Sequence, residues 1–343
     1  MLSRWLRLRI REAFHHPNIL IKLQNIFLAL VLVFSISGSA QDPHFSQFWN
    51  NPLYMTPAAT GIGHIEDKPV SRWMTQYRSQ WANLRGSFKT FAASFDRPVD
   101  KLRGGLGVQF TNDVMANGFL TTNGLKLSYA YIKNLGDFQL STGLALGKYW
   151  SSLDFNQFLF ADMLDTAFRK DPFNMNQSVN AISYPTFDAG ILISNKKGFL
   201  GLSYFNLNRP NNSFYQNPDQ VLSKRLNLHA GYLFSLNDQS GIMVRTQYMR
   251  QHTARQLLLS AGYRYKTIEV GAMFRSSPPN SAILNISSAI FYANYRYRRF
   301  NLSYTFDYGI GELHKISANA HEFCLRYHVP VKSERTRNIS PLQ

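Results

Sequence analysis

The segment Gly124–Tyr131, GLKLSYAY, alternates apolar and polar side chains with a period of two residues. In an extended chain, one face carries Leu125, Leu127, Tyr129 and Tyr131, and the other carries Lys126, Ser128 and Ala130. A helix would instead bring every third or fourth residue together. The stretch therefore predicts a β-strand with one apolar face.

The same alternation recurs along the chain, as in FQLSTGLALG (138–147), RLNLHAGYLF (225–234), FNLSYTFDYG (300–309) and EFCLRYHV (322–329). We count about 14 such segments of roughly 9 to 14 residues, the length that a tilted strand needs to cross a bilayer. The predicted strands start near Ser71, Phe88, Gly105, Thr121, Asp137, Pro185, Gly198, Arg225, Ser240, Arg255, Thr267, Asn285, Phe300 and His321.

The connections distinguish a membrane barrel from a soluble sandwich, which also alternates. Joints such as KNLGD and LNDQS are short, whereas other joints are long, notably Ser151–Tyr184 and Asn208–Lys224. Aromatic residues gather at the predicted strand ends, with Trp81, Tyr149, Trp150, Tyr248 and Tyr308 near the long loops and Tyr131, Tyr265, Tyr297 and Tyr327 near the short turns. Short turns, long loops and two aromatic girdles are typical of outer-membrane barrels. We predict an all-β, transmembrane antiparallel β-barrel over residues 71–329.

The N-terminus predicts a secretory signal peptide over residues 1–40. Basic residues precede the apolar run IFLALVLVFSIS, which ends in GSA before Gln41. The alternative, a helical membrane anchor, fits less well because the run is shorter than the roughly 20 residues that a spanning helix needs. Export and an even number of strands predict an outer-membrane location with both termini in the periplasm.

The basic composition, with 37 Lys and Arg against 20 Asp and Glu, gives a formal charge of +17. Nucleic acid is not an expected partner, because the signal peptide directs the chain away from it. Exposed basic residues cluster at the predicted periplasmic turns, namely Lys101, Arg103, Lys133, Lys196, Lys197, Lys266, Arg298 and Arg299. This basic rim either reflects the solubility of exposed turns or docks an acidic periplasmic partner or the cell wall.

Motifs for catalysis are missing from the sequence. There is no Gly-x-Ser-x-Gly elbow and no glycine-rich phosphate loop, and HEFCLRYH has Leu325 where a second zinc-binding His would be needed. The only cysteine, Cys324, predicts an ordinary strand residue. We expect no cofactor, no metal site and no enzymatic activity.

The stretch QDPHFSQFWNNPLYMTPAATG (41–61), directly after the predicted signal peptide, resembles the N-terminal signature of the PorP/SprF family of type IX secretion system outer-membrane proteins. Three later blocks, YRSQWANLRGSFKTFAASFDRPV, GGLGVQFTNDVMANGFLTTNGLKLSYAY and AHEFCLRYHV, also resemble that family. The family positions matched here are Tyr77, Arg78, Gln80, Trp81, Asp96, Asn112, Asp113, Gly118, His321 and Glu322. The sequence departs from the family in its C-terminal tail, residues 330–343.

The resemblance implies a non-enzymatic barrel of about 14 strands in Bacteroidetes-type bacteria, where members support gliding motility, secretion or surface attachment of partner proteins. The implied partners are a type IX cargo, such as a large adhesin with a C-terminal sorting domain, and periplasmic secretion subunits. We expect cargo contacts at the long extracellular loops, and outer-membrane lipid around the barrel. The alternatives are a FadL-like transporter of small hydrophobic compounds and, third, a barrel-embedded enzyme.

The N-terminal stretch, taken as residues 41–70, is predicted to fold into the barrel as a plug. Its prolines oppose a full strand ladder and its aromatic side chains require burial. The expected plug residues are Phe45, Phe48, Trp49, Asn51, Pro52, Tyr54 and Pro57. The alternative is a disordered periplasmic leader.

Overall fold

The computed structural model of the chain describes residues 43–65, 68–81, 87–154, 181–215, 217–277, 286–310 and 319–331. The predicted signal peptide, most of the predicted loop Ser151–Tyr184 and the C-terminal tail beyond residue 331 lie outside the described residues.

Fourteen antiparallel strands form a closed β-barrel in the described part of the chain, as predicted from the alternation. Each strand pairs with the next in sequence, and β15 pairs with β2 to close the wall. The strands are β2 (Lys68–Gln80), β3 (Phe88–Val99), β4 (Gly104–Met115), β5 (Leu120–Leu135), β6 (Phe138–Leu153), β7 (Ala181–Ser194), β8 (Gly198–Phe205), β9 (Arg225–Ser235), β10 (Ser240–Gln251), β11 (Ala254–Tyr265), β12 (Ile268–Ser276), β13 (Ile286–Tyr297), β14 (Phe300–Gly309) and β15 (Ala320–Pro330). The predicted strand starts lie within four residues of these.

The wall of the barrel is apolar on its outer face and polar on its inner face, the reverse of a soluble barrel. Leu127 and Leu144 point outward and are 61% and 63% exposed, whereas Arg78 and Glu322 point inward and are each 2% exposed. An apolar outer surface and a polar interior are the arrangement that a hydrocarbon environment favours.

The connections differ between the two ends of the barrel. At one end, here called the turn end, the six joints contain only residues 100–103, 136–137, 195–197, 236–239, 266–267 and 298–299. The opposite end, here called the loop end, carries the long joint 206–224 but also two short ones, 116–119 and 252–253. The joints at the turn end are therefore all short, as predicted, whereas the joints at the loop end are of both kinds.

Residues 43–64, here called the N-terminal segment, contain almost no sheet structure. Short 3-10 turns (Phe48–Asn50 and Pro57–Ala59) flank one helical turn, α1 (Pro52–Met55). The segment leads into β1 (His64–Ile65), which pairs with the start of β2 at the turn end. β2 begins at Lys68, where it pairs with β1, and its pairing with β15 starts at Val70, next to the predicted boundary at residue 70.

Within the residues that the structure describes, no helix has both the length and the apolar character to cross a membrane.

Candidate functional site

The N-terminal segment occupies the barrel lumen. All of its residues from Phe45 to His64 are buried except Tyr54, which is half-buried. Pro52 and Pro57 each stand at the start of a short helical turn, where the missing N–H is tolerated. The side chains of Asn51 and Thr56 cap these turns by accepting hydrogen bonds from Tyr54 N and Ala58 N. Local capping thus gives a proline-rich stretch a defined path without a strand partner.

Glu322 on β15 binds the beginning of the segment. Its carboxylate accepts hydrogen bonds from the backbone N–H groups of Ser46 (2.8 Å) and Gln47 (3.0 Å). It also accepts from Gln76 Nε2 (2.7 Å) and Arg78 Nη1 (3.1 Å) on β2. Since a carboxylate can accept several hydrogen bonds, one buried side chain joins the segment to both strands of the barrel seam.

Asp307 on β14 organises a second group of charges around Ser46. It accepts from Arg78 Nη2 at 2.8 Å and from Arg275 Nη1 at 2.5 Å, and Arg275 Nη2 donates to Ser46 Oγ at 2.7 Å. Burial and the two nearby guanidinium groups hold the pKa of His44 well below its ordinary value. His44 is therefore neutral at pH 7 and adds no charge to this cluster.

A third group of contacts, around Asp96, binds the end of the segment. Arg72 donates to Asp96 from Nε (2.9 Å) and Nη2 (2.7 Å), and the same Nη2 donates to the carbonyl oxygen of Ala59 at 2.6 Å. The backbone N–H of Gly61 donates to Asp96 Oδ2 at 2.6 Å. Both ends of the segment are thus hydrogen-bonded to wall residues that are themselves paired in buried ion pairs.

Glycines in the wall let the segment approach the strands closely. A Cβ atom added to Gly143 would lie 2.3 Å from the backbone carbon of Pro57, and one added to Gly190 would lie 2.5 Å from Thr56 Oγ1. Such distances are far inside van der Waals contact, so no larger residue fits at these positions while the segment is in place.

Trp49 is the main aromatic anchor of the segment. Its ring lies 4.2 Å from the guanidinium carbon of Arg245 and packs edge-on against Tyr292, with ring centroids 5.3 Å apart. Arg245 is itself paired with Glu269 at 2.6 Å. Cation–π contacts of this kind contribute most where the cation is desolvated.

The positions matched to the family motif fall into two groups. Arg78, Asp96 and Glu322 contact the N-terminal segment, and Asp113 accepts from Thr90 Oγ1 in the lumen. The others lie elsewhere: Tyr77 and His321 on the outer face, Gln80 and Trp81 at the loop end of β2, Asn112 paired with Asn123, and Gly118 in the β4–β5 turn with φ +107°. Trp81, with φ +58°, donates its backbone N–H to Asn319 O at 2.8 Å.

The segment residues predicted from the sequence also differ in their contacts. Phe45, Phe48 and Trp49 are buried, Asn51 and the two prolines set the turns, and Tyr54 donates its hydroxyl to the carbonyl of Pro43. Sequence reasoning missed the partners Arg72, Arg245, Glu269, Arg275 and Asp307. Their only signal was a charged residue at an inward position of an alternating strand.

The basic rim residues are all exposed and lie at or near the turn end.

Cys324 is buried on β15. Within the described residues, no group of three or more His, Cys, Asp or Glu side chains could hold a metal ion.

Several solved outer-membrane barrels are similar to this chain in structure. The toluene transporter TbuX of Ralstonia pickettii aligns with a TM-score of 0.49 and 10% identity, over 82% of this chain and 94% of that one. A FadL homologue of Pseudomonas aeruginosa aligns with a TM-score of 0.45 and 13% identity, over 83% and 95%. Omp33 of Acinetobacter baumannii aligns with a TM-score of 0.44 and 8% identity, over 79% and 100%. Scores of this size support no inference about function.

The sequence comparison is more specific. Residues 37–327 match the family model described as type IX secretion system membrane protein PorP/SprF. A search of curated proteins found no match.

Proposed function

Because the chain belongs to the PorP/SprF family of type IX secretion system membrane proteins, we propose that this outer-membrane barrel supports the secretion or surface anchoring of a partner protein. The partner is expected to be a type IX cargo, such as a large adhesin with a C-terminal sorting domain, held at the loop end. In this proposal the barrel is a fixed platform in the lipid bilayer, and it catalyses no reaction.

The observation that carries the proposal is the occupied lumen. In our proposal residues 43–64 act as a plug there, supported by their hydrogen bonds to the carboxylates of Glu322, Asp307 and Asp96. Releasing the segment would break several buried hydrogen bonds to these carboxylates, each of which contributes about 1.5–3 kcal/mol because the acceptor is charged. A barrel so held offers a rigid surface rather than an open passage, and that favours a binding role.

The loop of residues 206–224 supplies a candidate contact surface. Asn211 and Val221 form an isolated bridge, and Ser213 Oγ accepts from the backbone N–H of Tyr215 at 3.2 Å. The Tyr215 side chain is 85% exposed above this hydrogen-bonded turn. Exposed aromatic residues on ordered loops are favoured anchors of protein interfaces, because little conformational entropy is lost on binding.

The first test compares surface and medium proteins, by mass spectrometry, between the parent strain and a strain that lacks this gene. Loss of one large surface protein supports a dedicated anchor, and a general loss of secreted proteins supports a core secretion component. Complementation with Tyr215→Ala should restore surface retention less well than Tyr215→Phe, which keeps the ring. No loss from either fraction contradicts the proposal.

A periplasmic contact at the turn end is the second part of the proposal, with both termini on that side. Reversing the charges of Lys196, Lys197, Arg298 and Arg299 should weaken association with an acidic secretion subunit or the cell wall, because all four are exposed. Co-purification that is unchanged by the reversal contradicts this contact.

The transporter alternative would need a substrate pocket behind the plug and a lateral opening. The cavity beside Phe45 and Phe48 has a volume of about 10 Å³, far below the roughly 300 Å³ at which ligand pockets begin. A larger apolar cavity, of about 540 Å³, is lined by wall residues that include the outward-facing Tyr77 and Phe323, and no residue of the N-terminal segment lines it. We therefore favour the secretion role.

A further inference from the structure

The apolar cavity of about 540 Å³ is a groove on the outer face of the wall, here called the outer groove. It lies between two rows of outward-facing residues that the strand register places side by side. One row contains Phe91, Tyr77, Phe323, Tyr304 and Ala293, and the other contains Thr75, Leu325, Leu302, Tyr295 and Ile268. Nine of these ten side chains are exposed, and Phe91 is half-buried. The groove therefore crosses six neighbouring strands, from β12 across the barrel seam to β3.

The floor of the outer groove is backbone. Gln76 and Ser303 also line it, but their side chains point into the lumen. There Gln76 Nε2 donates to Glu322 at 2.7 Å, and Ser303 Oγ accepts from Asn50 Nδ2 at 2.9 Å. Thr75 and Ala293 are the smallest outward side chains of the two rows, so a larger side chain at either position would project into the groove.

The dimensions of the outer groove match one leaflet of a bilayer. Neighbouring strands lie about 4.8 Å apart, so the five steps from β12 to β3 give a length of roughly 24 Å. Rows of paired residues run at right angles to the strands, and strands tilt by about 35–45° in membrane barrels, so the groove covers a depth of roughly 15 Å. Half of a hydrocarbon core about 30 Å thick is the same depth. The shape thus suits one extended hydrocarbon chain.

Exposed cations stand at the turn end, where the outer groove begins. Lys266 lies in the β11–β12 turn, two residues before Ile268, and Arg298 directly follows the last residue of β13. Both side chains are exposed, and each lies over a neighbouring tyrosine ring, Tyr265 or Tyr297. Aromatic residues in such positions mark the level of lipid headgroups, where Lys and Arg attract phosphate.

We propose that the outer groove binds one acyl chain of a phospholipid in the leaflet at the turn end, with the phosphate beside Lys266 and Arg298. An apolar chain gains no hydrophobic free energy on leaving hydrocarbon for an apolar wall, so the groove has to hold it by packing on several sides. The cations add attraction for the headgroup. The site does not depend on the proposed secretion function.

The test uses the purified mature barrel in detergent with dipalmitoyl phosphatidylglycerol, and native mass spectrometry counts the lipids that stay bound after the detergent is removed. The groove variant carries Thr75→Phe and Ala293→Phe, which fill the gap with rings that hydrocarbon tolerates. The control carries Thr142→Phe and Ala261→Phe, which add the same rings at exposed outward positions of β6 and β11 outside the groove. Heat-modifiable migration on gels checks that both variants fold.

We expect the parent and the control to retain one phosphatidylglycerol, and the groove variant to retain it about tenfold less or lower still. Dipalmitoylglycerol, which has the same chains without the phosphate, should be retained less than phosphatidylglycerol by the parent. The proposal is overturned if the parent retains no lipid, if both variants lose it equally, if the two lipids are retained equally, or if the parent appears as a dimer, since a second copy would then cover this face. The assay contains no cargo, so its outcome is separate from the surface-protein comparison.

Discussion

Replacing Glu322 by Ala should release the N-terminal segment from the lumen. The change removes the acceptor of four hydrogen bonds, two from the backbone N–H groups of Ser46 and Gln47 and two from Gln76 and Arg78. Arg78 keeps Asp307 at 2.8 Å, so the guanidinium retains one carboxylate. The two backbone N–H groups of the segment, in contrast, lose the partner that the wall provides.

The expected size of the effect follows from these contacts. Each of the two backbone hydrogen bonds that the segment loses contributes about 1.5–3 kcal/mol, because the acceptor is charged. At about 1.4 kcal/mol per factor of ten, the undocked population of the segment should rise by roughly two to four orders of magnitude. Amide exchange through local opening reports this population directly.

The measurement is hydrogen exchange with mass spectrometry on peptides that cover residues 45–55, with barrel integrity checked by heat-modifiable migration on gels. Asp188→Ala is the matched control, since Asp188 is an equally buried lumenal carboxylate whose partners are Lys126 Nζ and the backbone N–H of Asn206. We expect faster exchange in Glu322→Ala alone. If the exchange of these peptides is unchanged, or rises equally in the control, Glu322 does not hold the segment.

Three further outcomes are expected. Gly143→Leu should displace the segment and raise single-channel conductance in planar bilayers, because its Cβ would lie 2.3 Å from the Pro57 backbone. The control is Gly136→Leu, at an open turn. Equal conductance in both variants would refute the steric argument. Cys324 should resist maleimide until the barrel is denatured, since it is 5% exposed; labelling of the folded barrel would contradict this burial. Leu127→Lys should lower the free energy of unfolding in liposomes by about 2–4 kcal/mol, because it puts a charge on the outward face in the middle of β5; an unchanged unfolding curve would mean that this face does not meet hydrocarbon.

The sequence specified the barrel well because strand polarity is a local property. Alternation in Gly124–Tyr131 already separates the outward Leu125 and Leu127 from the inward Ser128, and turn residues mark the strand ends. The lumenal contacts were not predictable in the same way. Arg78 and Asp307 are 229 positions apart, and their meeting depends on the register of the closed wall. Glu322 was singled out only through the family resemblance, and Arg245 and Glu269 carried no local motif at all.

The hydrogen bond from Ser46 to Glu322 spans 276 positions and joins the beginning of the N-terminal segment to the last strand. Contacts of such long sequence separation form late, because the loop they close is entropically costly. Docking of the N-terminal segment therefore has to wait for β15 to arrive beside β2. The protected state of the segment can therefore exist only in a molecule whose wall has been completed.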